Sequence, residues 1–233
     1  MKKLGVALLL LVIAVAGTLF WLRGNLDGLV RNAIEKYGSE MTQATVSVAS
    51  VEISAADGRG IIRGLTVGNP AGFKTPHALK VGQIEVALDV GSLTGNVVTV
   101  TKIAIIAPDV IYEKGESMTN FDAIQKNIAD YIGASRKEGG KKVIVTEFAM
   151  RDARAQASAA FMKGKTIEVP LPDIVLHDLG KSKGGATPGE LGQEIAAAIK
   201  QKLSATISFD RLMKSMASGL ESAGQAIKGL FNK

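Results

Sequence analysis

Histidine, cysteine and carboxylate residues are where catalytic or metal chemistry would show first, and this 233-residue chain has few of them in useful patterns. Its two histidines, His77 and His177, lie far apart, and neither belongs to an HExxH sequence that would bring two imidazoles to one zinc ion. Cysteine is absent, which excludes a thiol nucleophile, a thiolate metal site and any disulfide. The sequence therefore predicts no metal and no cofactor.

Three carboxylates near predicted strand ends, Asp109, Glu113 and Asp173, could in principle converge as a general acid and base. Acidic residues also form turns at strand ends, and we interpret these three as turn formers. Residues 164–166 and 180–182 read Gly-Lys-Thr and Gly-Lys-Ser, but the first glycine of a phosphate-binding loop is missing before each. We therefore expect a protein that is not an enzyme.

An unbroken apolar run, Leu4–Leu22, follows Lys2 and Lys3 at the N-terminus. As a helix this run would be about 28 Å long, close to the ~30 Å hydrocarbon core of a bilayer. The lysines before it predict a cytoplasmic N-terminus and an exported body. A cleaved signal peptide is the alternative, because Ala14–Ala16 has the small-x-small pattern of a cleavage site. Trp21 lies where an interfacial aromatic residue belongs, which favours an uncleaved transmembrane anchor.

Apolar and polar residues alternate from about residue 43, which is the pattern of half-buried strands. The predicted strands are Val46–Ile53, Gly60–Val67, Ile84–Val90, Val97–Ala107, Val110–Glu113, Lys142–Met150, Ala153–Phe161 and Thr166–Leu171. The alternation slips between Val48 and Val51 and again between Val100 and Ile103, and a β-bulge at each place would restore the facing. Because few helical patterns separate the strands, we expect an antiparallel or meandering sheet without βαβ units.

Helical spacing predicts a short amphipathic helix over 26–37 that ends at Gly38, and a second helix over Asn120–Gly133. A capping box at Thr187–Glu190, with proline at the first helical position, predicts a third helix that ends near Leu203.

A continuous apolar seam follows at helical spacing near the C-terminus. Its residues are Phe209, Met213, Met216, Leu220, Ala223, Ile227 and Leu230. The seam either packs against the rest of the protein or forms a surface for a protein partner or a membrane.

The predicted fold class is α+β: a transmembrane helix, then a curved, mostly antiparallel β-sheet, with amphipathic helices packed at the C-terminus. The predicted divisions are the anchor at 1–23, a connector helix at 24–42, a β-rich domain at 43–180 with a helical insertion near 120–133, and a helical region at 187–233.

The β-rich part resembles the N-terminal region of AsmA-family proteins. The resemblance is carried by Gly60–Phe73, with its Asn-Pro-x-Gly-Phe turn, by Leu79–Leu93, by Val100–Ile103 and by Ala107–Val110. The family comprises bacterial inner-membrane proteins with one N-terminal span and a periplasmic β-rich body, similar to the lipid-transfer proteins of the TamB and chorein kind. The resemblance brings no catalytic motif and implies a single-pass inner-membrane protein with its C-terminal domain in the periplasm.

The resemblance also implies a sheet whose apolar inner face is a trough for acyl chains. The candidate lining residues are Ile84, Val86, Leu88, Val98, Val100, Ile103 and Ile105. Lipid tails need only apolar surface, at ~0.8 kcal/mol per buried CH₂ group, so no diagnostic motif is required.

Two functions follow as hypotheses. The first is membrane-anchored lipid binding or envelope maintenance, with membrane lipids as partners. The second is a non-enzymatic scaffold that binds another envelope protein through its C-terminal helix. The net charge of +6 suits anionic headgroups only weakly, and export disfavours nucleic acid as a partner.

Overall fold

Alternating apolar residues form ten strands in the part of the chain that the computed structural model describes, residues 26–134 and 141–206. The strands are β1 (Val46–Ser47), β2 (Ser50–Ser54), β3 (Arg59–Val67), β4 (Leu79–Leu88), β5 (Val97–Ile106), β6 (Asp109–Lys114), β7 (Lys142–Arg151), β8 (Arg154–Ala159), β9 (Ile167–Val169) and β10 (Ile174–Leu179). All belong to one mixed sheet, so the α+β class is confirmed. Strand β10 was not predicted, because its apolar residues are mixed with His177 and Asp178.

Within the described residues, three helices accompany the sheet: α1 (described over residues 26–42), α2 (Asn120–Ala134) and α3 (Pro188–Thr206). Single 3₁₀ turns occupy Val90–Thr94, Ala160–Met162 and Lys181–Lys183. Among the described residues, no helix is both long enough and apolar enough to cross a membrane.

Helix α3 begins as predicted. The Thr187 N–H donates to the Glu190 carboxylate at 2.8 Å, and the Glu190 N–H donates back to the Thr187 hydroxyl at 3.2 Å. These bonds form a capping box, and the bond from the Thr187 backbone lowers the pKa of Glu190.

Helix α1 does not end at Gly38 but continues to residue 42. A Cβ on Gly38 would lie 3.1 Å from a methyl of Val46, so the glycine permits close packing of α1 on β1. The predicted helix end was wrong because close packing and helix termination both favour glycine.

Hydrogen-bonded neighbours follow the order β10-β7-β5-β4-β6-β8-β9, with β3 on the other edge of β4 and β1 and β2 beyond β3. Most pairs are antiparallel, but β5 runs parallel to β7 and β6 runs parallel to β8. Helix α2 connects these parallel strands as a crossover. The expectation of a sheet without βαβ units is therefore wrong, because alternation reports burial and not the direction of the neighbouring strand.

Strands β5 and β6 follow one line that is interrupted at Ala107 and Pro108, and β7 and β8 follow another. Ile106 pairs with Arg151 and Asp109 pairs with Arg154, so the offset is the same on both sides of the interruption (151 − 106 = 154 − 109 = 45). Ala107 and Asp152 have the same offset, and both adopt left-handed φ values of 50° and 52°. The two parallel strands are thus interrupted side by side.

The predicted β-bulge near Val100 is confirmed. Ala87 pairs with Lys102 while Leu88 pairs with Val100, so β5 contains one extra residue. At the other predicted place, pairing is interrupted between β1 and β2 without an inserted residue, because the pairs Ser47–Thr66 and Ser50–Arg63 keep one register.

The main hydrophobic core lies between the sheet and the two helices α2 and α3. The helices contribute Phe121, Ile124, Ile128, Leu191, Ala196, Ile199 and Leu203. The sheet contributes, among others, Val81, Ile84, Ile105, Val110, Tyr112, Val145, Phe148, Met150, Ala155 and Ile174. One core therefore joins the β-rich part of the chain to α3.

Candidate functional site

The seven residues predicted to line an acyl-chain trough all lie on β4 and β5. Ile84 and Ile105 pair directly across these strands, and each is 6% exposed. Val86, Val100 and Ile103 are half-buried against the same core as α2 and α3. The structure thus packs five of the seven residues into the core. The other two, Leu88 and Val98, are half-buried as well.

Two other predicted regions lie outside the described residues. The apolar run Leu4–Leu22 is one, and the other is the C-terminal seam with its partner-binding candidates Phe209, Met213, Met216, Leu220, Ile227 and Leu230.

An open groove of about 520 Å³ lies where the chain passes from β9 to β10. Strand β9 pairs with β8 as far as Val169, opposite Ala155, and β10 begins to pair with β7 at Ile174, opposite Met150. Between Val169 and Ile174 the chain is not paired with the sheet, and the groove lies there. Its lining residues are Ala153, Arg154, Ala155, Glu168, Val169, Pro170, Leu171 and Pro172.

Six of the eight residues that line this groove are apolar, and the other two bring one cation and one anion, so its open surface is about equally polar and apolar. Val169 and Leu171 also pack against the main core, so the groove adjoins it. Arg154 and Glu168 are exposed and bring one charge of each sign. Sequence reasoning missed the site because residues on two strands and a loop form it. Pro170 and Pro172, which cannot donate a backbone hydrogen bond to a neighbouring strand, are the signal that could have marked the end of β9.

The Asn-Pro-x-Gly-Phe turn is held by a buried polar network. The Asn69 amide donates to the Thr75 carbonyl and hydroxyl, each at 2.9 Å. The Glu113 carboxylate accepts hydrogen bonds from the backbone N–H groups of Lys74 and Thr75 at 2.8 Å and from the Thr75 hydroxyl at 2.6 Å. Glu113 is 1% exposed. Its role is to satisfy the donors of this loop, as buried polar groups require.

Asn120, fully buried at the start of α2, links the turn to β6. Its amide donates to the Asn69 side chain at 2.9 Å and to the Ile111 carbonyl at 2.7 Å. Its oxygen accepts from the Glu113 N–H at 3.0 Å. Every contact of this network is internal, so it positions the loop and offers no group to a substrate.

A second polar chain lies along the start of β6 and β8. The His77 Nε2 atom is 3.5 Å from an Asp109 oxygen and is buried without a hydrogen-bond partner. Asp109 accepts from the Gln156 amide at 2.9 Å, and Gln156 accepts from the Thr166 hydroxyl at 2.5 Å. Because the amide of Gln156 does not titrate, the chain cannot deprotonate Thr166 and does not form a nucleophile–base pair.

The three carboxylates considered for acid–base chemistry each bond locally. Asp173 accepts from the Asp152 N–H at 3.1 Å, and Asp109 and Glu113 lie four residues apart on β6, about 13 Å at the rise of a strand. Within residues 26–134 and 141–206, no group of three or more His, Cys, Asp or Glu side chains could hold a metal ion.

Residues 180–184, considered above only as part of a phosphate-binding loop, also read Gly-x-Ser-x-Gly. Here the motif is a 3₁₀ turn after β10 in which Gly180 and Gly184 adopt left-handed φ values of 76° and 66°. In the described part of the chain, no histidine or carboxylate hydrogen-bonds to the exposed Ser182 hydroxyl. The motif therefore lacks the base that a nucleophile elbow needs.

Comparison with known proteins leaves the family open. No family model matches this chain, and no curated protein is significantly similar to it. The resemblance to AsmA-family proteins therefore remains a prediction from the residues quoted above.

Proposed function

We propose that this protein is a membrane-tethered, non-enzymatic, AsmA-like protein of the bacterial envelope that binds acyl chains of phospholipids. The observation that carries the proposal is the open groove at β8 and β9, whose lining combines six apolar residues with one cation and one anion and adjoins the core. The apolar run Leu4–Leu22 supports a tether in the inner membrane with the body on the periplasmic side.

The groove suits a lipid because an acyl chain is recognised by apolar area alone. Each CH₂ group buried against Val169, Leu171 and the prolines contributes ~0.8 kcal/mol. Arg154 and Glu168 at the same groove complement a zwitterionic headgroup, with the phosphate at the guanidinium and the ammonium at the carboxylate. We therefore propose phosphatidylethanolamine-like lipids as the preferred class.

The proposed binding site is this groove and not the middle of β4 and β5. Ile84 and Ile105 contribute to the core with α2 and α3, so a charge placed beside them would unfold the protein whether or not lipid binds. A test of lipid binding must therefore alter the groove itself.

The test is lipid mass spectrometry on the full chain, extracted gently from bacterial membranes. We expect about one phospholipid per chain beyond those around the tether, and its loss in Ala153→Phe, which fills the groove, and in Leu171→Asp. Val175→Asp is the matched control, because Val175 lies on β10 outside the groove and is 40% exposed. Equal lipid content in the parent, the control and a folded Ala153→Phe variant would contradict the proposal.

A further inference from the structure

Two large apolar side chains are exposed on the turn that joins β4 to β5. Val90 and Leu93 are each 40% exposed, and both lie on the 3₁₀ turn Val90–Thr94. Two exposed aliphatic side chains three positions apart on one turn offer apolar surface that can contact an apolar phase or a partner.

This turn is firmly held at one end of the sheet. The Leu88 N–H donates to the Gly58 carbonyl at 2.8 Å, which joins the turn after β4 to the turn between β2 and β3. The Asp89 N–H donates to the Thr99 carbonyl, and the Thr99 N–H donates back to the Ser92 hydroxyl, each at 2.9 Å. Hydrogen bonds to neighbouring strands and turns therefore hold Val90 and Leu93 in place.

Two lysines, Lys141 and Lys142, lie beside this turn. The Lys141 ammonium donates to the Leu93 carbonyl, and the Lys142 N–H donates to the Asn96 carbonyl at 3.0 Å. Both lysines are exposed, and neither forms an ion pair within the described residues. We call the turns 55–58 and 90–96, together with Lys141, Lys142 and the turn 180–186, the proximal end.

Acidic groups at the proximal end are engaged locally. Asp57 accepts a hydrogen bond from the Ser54 hydroxyl at 2.7 Å, and Asp89 accepts from the Gly91 N–H at 2.9 Å. Asp178 forms an ion pair with Lys181 at 3.1 Å, and Glu194 lies 4.0 Å from Lys183. Glu190 is bonded in the capping box of α3, and Lys183 and Lys142 also lie close enough to lower its pKa. Lys141 therefore supplies unpaired positive charge beside Leu93, and Lys142 adds positive charge that Glu190 offsets in part.

The N-terminal apolar run joins the body at this same end. Asp27, on α1, accepts a hydrogen bond from the Ile53 N–H at 3.0 Å, so this part of α1 lies beside the end of β2. Leu22, the last residue of the run, precedes Leu26 by four positions. Any bilayer that holds the run must therefore lie close to the proximal end.

We propose that the proximal end docks on an anionic bilayer surface, with Val90 and Leu93 in the interface and Lys141 and Lys142 at lipid phosphates. This rests on the tether in the proposed function and adds that the body binds the membrane in one orientation. Apolar insertion and basic residues beside it are the two components of interfacial binding.

The chain contains no cysteine, so single labels can be placed without background. The full chain carrying Leu93→Cys with an environment-sensitive fluorophore is reconstituted into vesicles of phosphatidylcholine with about 30 mol% phosphatidylglycerol, in which the acyl chains are brominated. The control is Phe161→Cys, which is 42% exposed and lies beyond the far end of β8. We expect bromine quenching of the Leu93 label to exceed that of the Phe161 label at least about twofold.

Charge reversal tests the lysines. Lys141→Glu with Lys142→Glu should reduce quenching of the Leu93 label about twofold or more, as should vesicles without phosphatidylglycerol. The matched control, Lys163→Glu with Lys165→Glu, changes the net charge equally at the opposite end and should leave quenching unchanged.

Flotation of the vesicles separates the two proposals. If the chain does not float with the vesicles, the tether fails and docking fails with it. If the chain floats but the Leu93 label is quenched no more than the Phe161 label, docking alone is overturned. Equal effects of the two charge reversals would also overturn it.

Discussion

Glu113 carries the buried network that fixes the Asn-Pro-x-Gly-Phe turn. Three donors from Lys74 and Thr75 point at its carboxylate, so Glu113→Gln would turn an amide N–H₂ toward them and leave at least one donor unsatisfied. We expect a loss of about 2–3 kcal/mol in the free energy of unfolding, measured with urea. Glu116→Gln, at an exposed position three residues later, should change it by less than about 0.5 kcal/mol.

If Glu113→Gln lost as little stability as Glu116→Gln, the donors of the loop would have found other acceptors.

The residues of this network were only partly predictable. Acidic turn formers near strand ends were expected, and Asn69 was quoted as part of a turn. Their hydrogen bonds join residues that are 38 positions apart in one case and 51 positions apart in the other, and the local spacing of residue types does not predict such contacts.

The interruption between β1 and β2 depends on one glycine. Gly64 has a left-handed φ of 62°, and a Cβ there would lie 2.7 Å from the Ala49 methyl. We expect Gly64→Ala to cost about 1–3 kcal/mol, since it combines backbone strain with a steric clash. Gly82→Ala is the matched control on β4, where no atom lies within 4 Å of the added Cβ, and it should be neutral or slightly stabilising.

Urea midpoints of both glycine variants measure this difference. Equal effects of the two substitutions would show that backbone strain at Gly64 is not what sets the interruption.

Helices α2 and α3 are joined at one end by an ion pair. The Lys200 ammonium lies 2.5 Å from an Asp122 oxygen, and both side chains are about one third exposed. Burial raises the pKa of Asp122, but hydrogen bonds from Lys200 and Thr119 outweigh it, so the pKa lies below its ordinary value of 3.8. The hydrogen bond to Asp122 raises the pKa of Lys200.

The pH dependence follows from the sign of the Asp122 shift. A carboxylate whose pKa is lowered by folding stabilises the protein above its unfolded pKa, and this contribution disappears as the pH falls through the folded value. At pH 7 we expect Asp122→Asn to cost about 1 kcal/mol, a modest value for a partly exposed pair, and to cost less below pH ~3. The free energy of unfolding, measured with urea at both pH values, tests this prediction. Lys126→Met, which removes the exposed Lys126–Asp130 pair on α2, is the control. A loss of stability in Asp122→Asn that does not change with pH would contradict the prediction.

The strands and helices were largely predictable because each has a clear period, but their arrangement was not. The alternation in β5 and β7 states that one face is buried, yet it is the same for parallel and antiparallel neighbours. The crossover through α2 could be recognised only from the pairing of Val97–Ile106 with Lys142–Arg151. The groove shares this limit, since it forms where β9 leaves β8.

The proposed membrane-facing end and the proposed lipid groove lie at different heights on the molecule. Strand β7 runs from Lys142 at the proximal end to Arg151 beside the groove, a distance of about 30 Å at the rise of a strand. In the two proposals taken together, a lipid in the groove would therefore have left the bilayer that contacts the proximal end. This separation favours a protein that holds or hands on single lipids over one that only reshapes the membrane surface.

The whole body should unfold as one unit, because a single core contains residues from β4 to the end of α3. Leu203 is fully buried near the C-terminal end of α3, and Leu203→Ala should cost about 2–5 kcal/mol. In native-state hydrogen exchange, Leu203→Ala should lower the protection free energy of amides in α3, β5 and β7 by the same amount, because these elements unfold together. Val175→Ala, at an exposed position of β10, should change neither by more than about 0.5 kcal/mol. If Leu203→Ala lowered protection in α3 alone, the helix would be a separate unit, and the sheet would keep its stability without it.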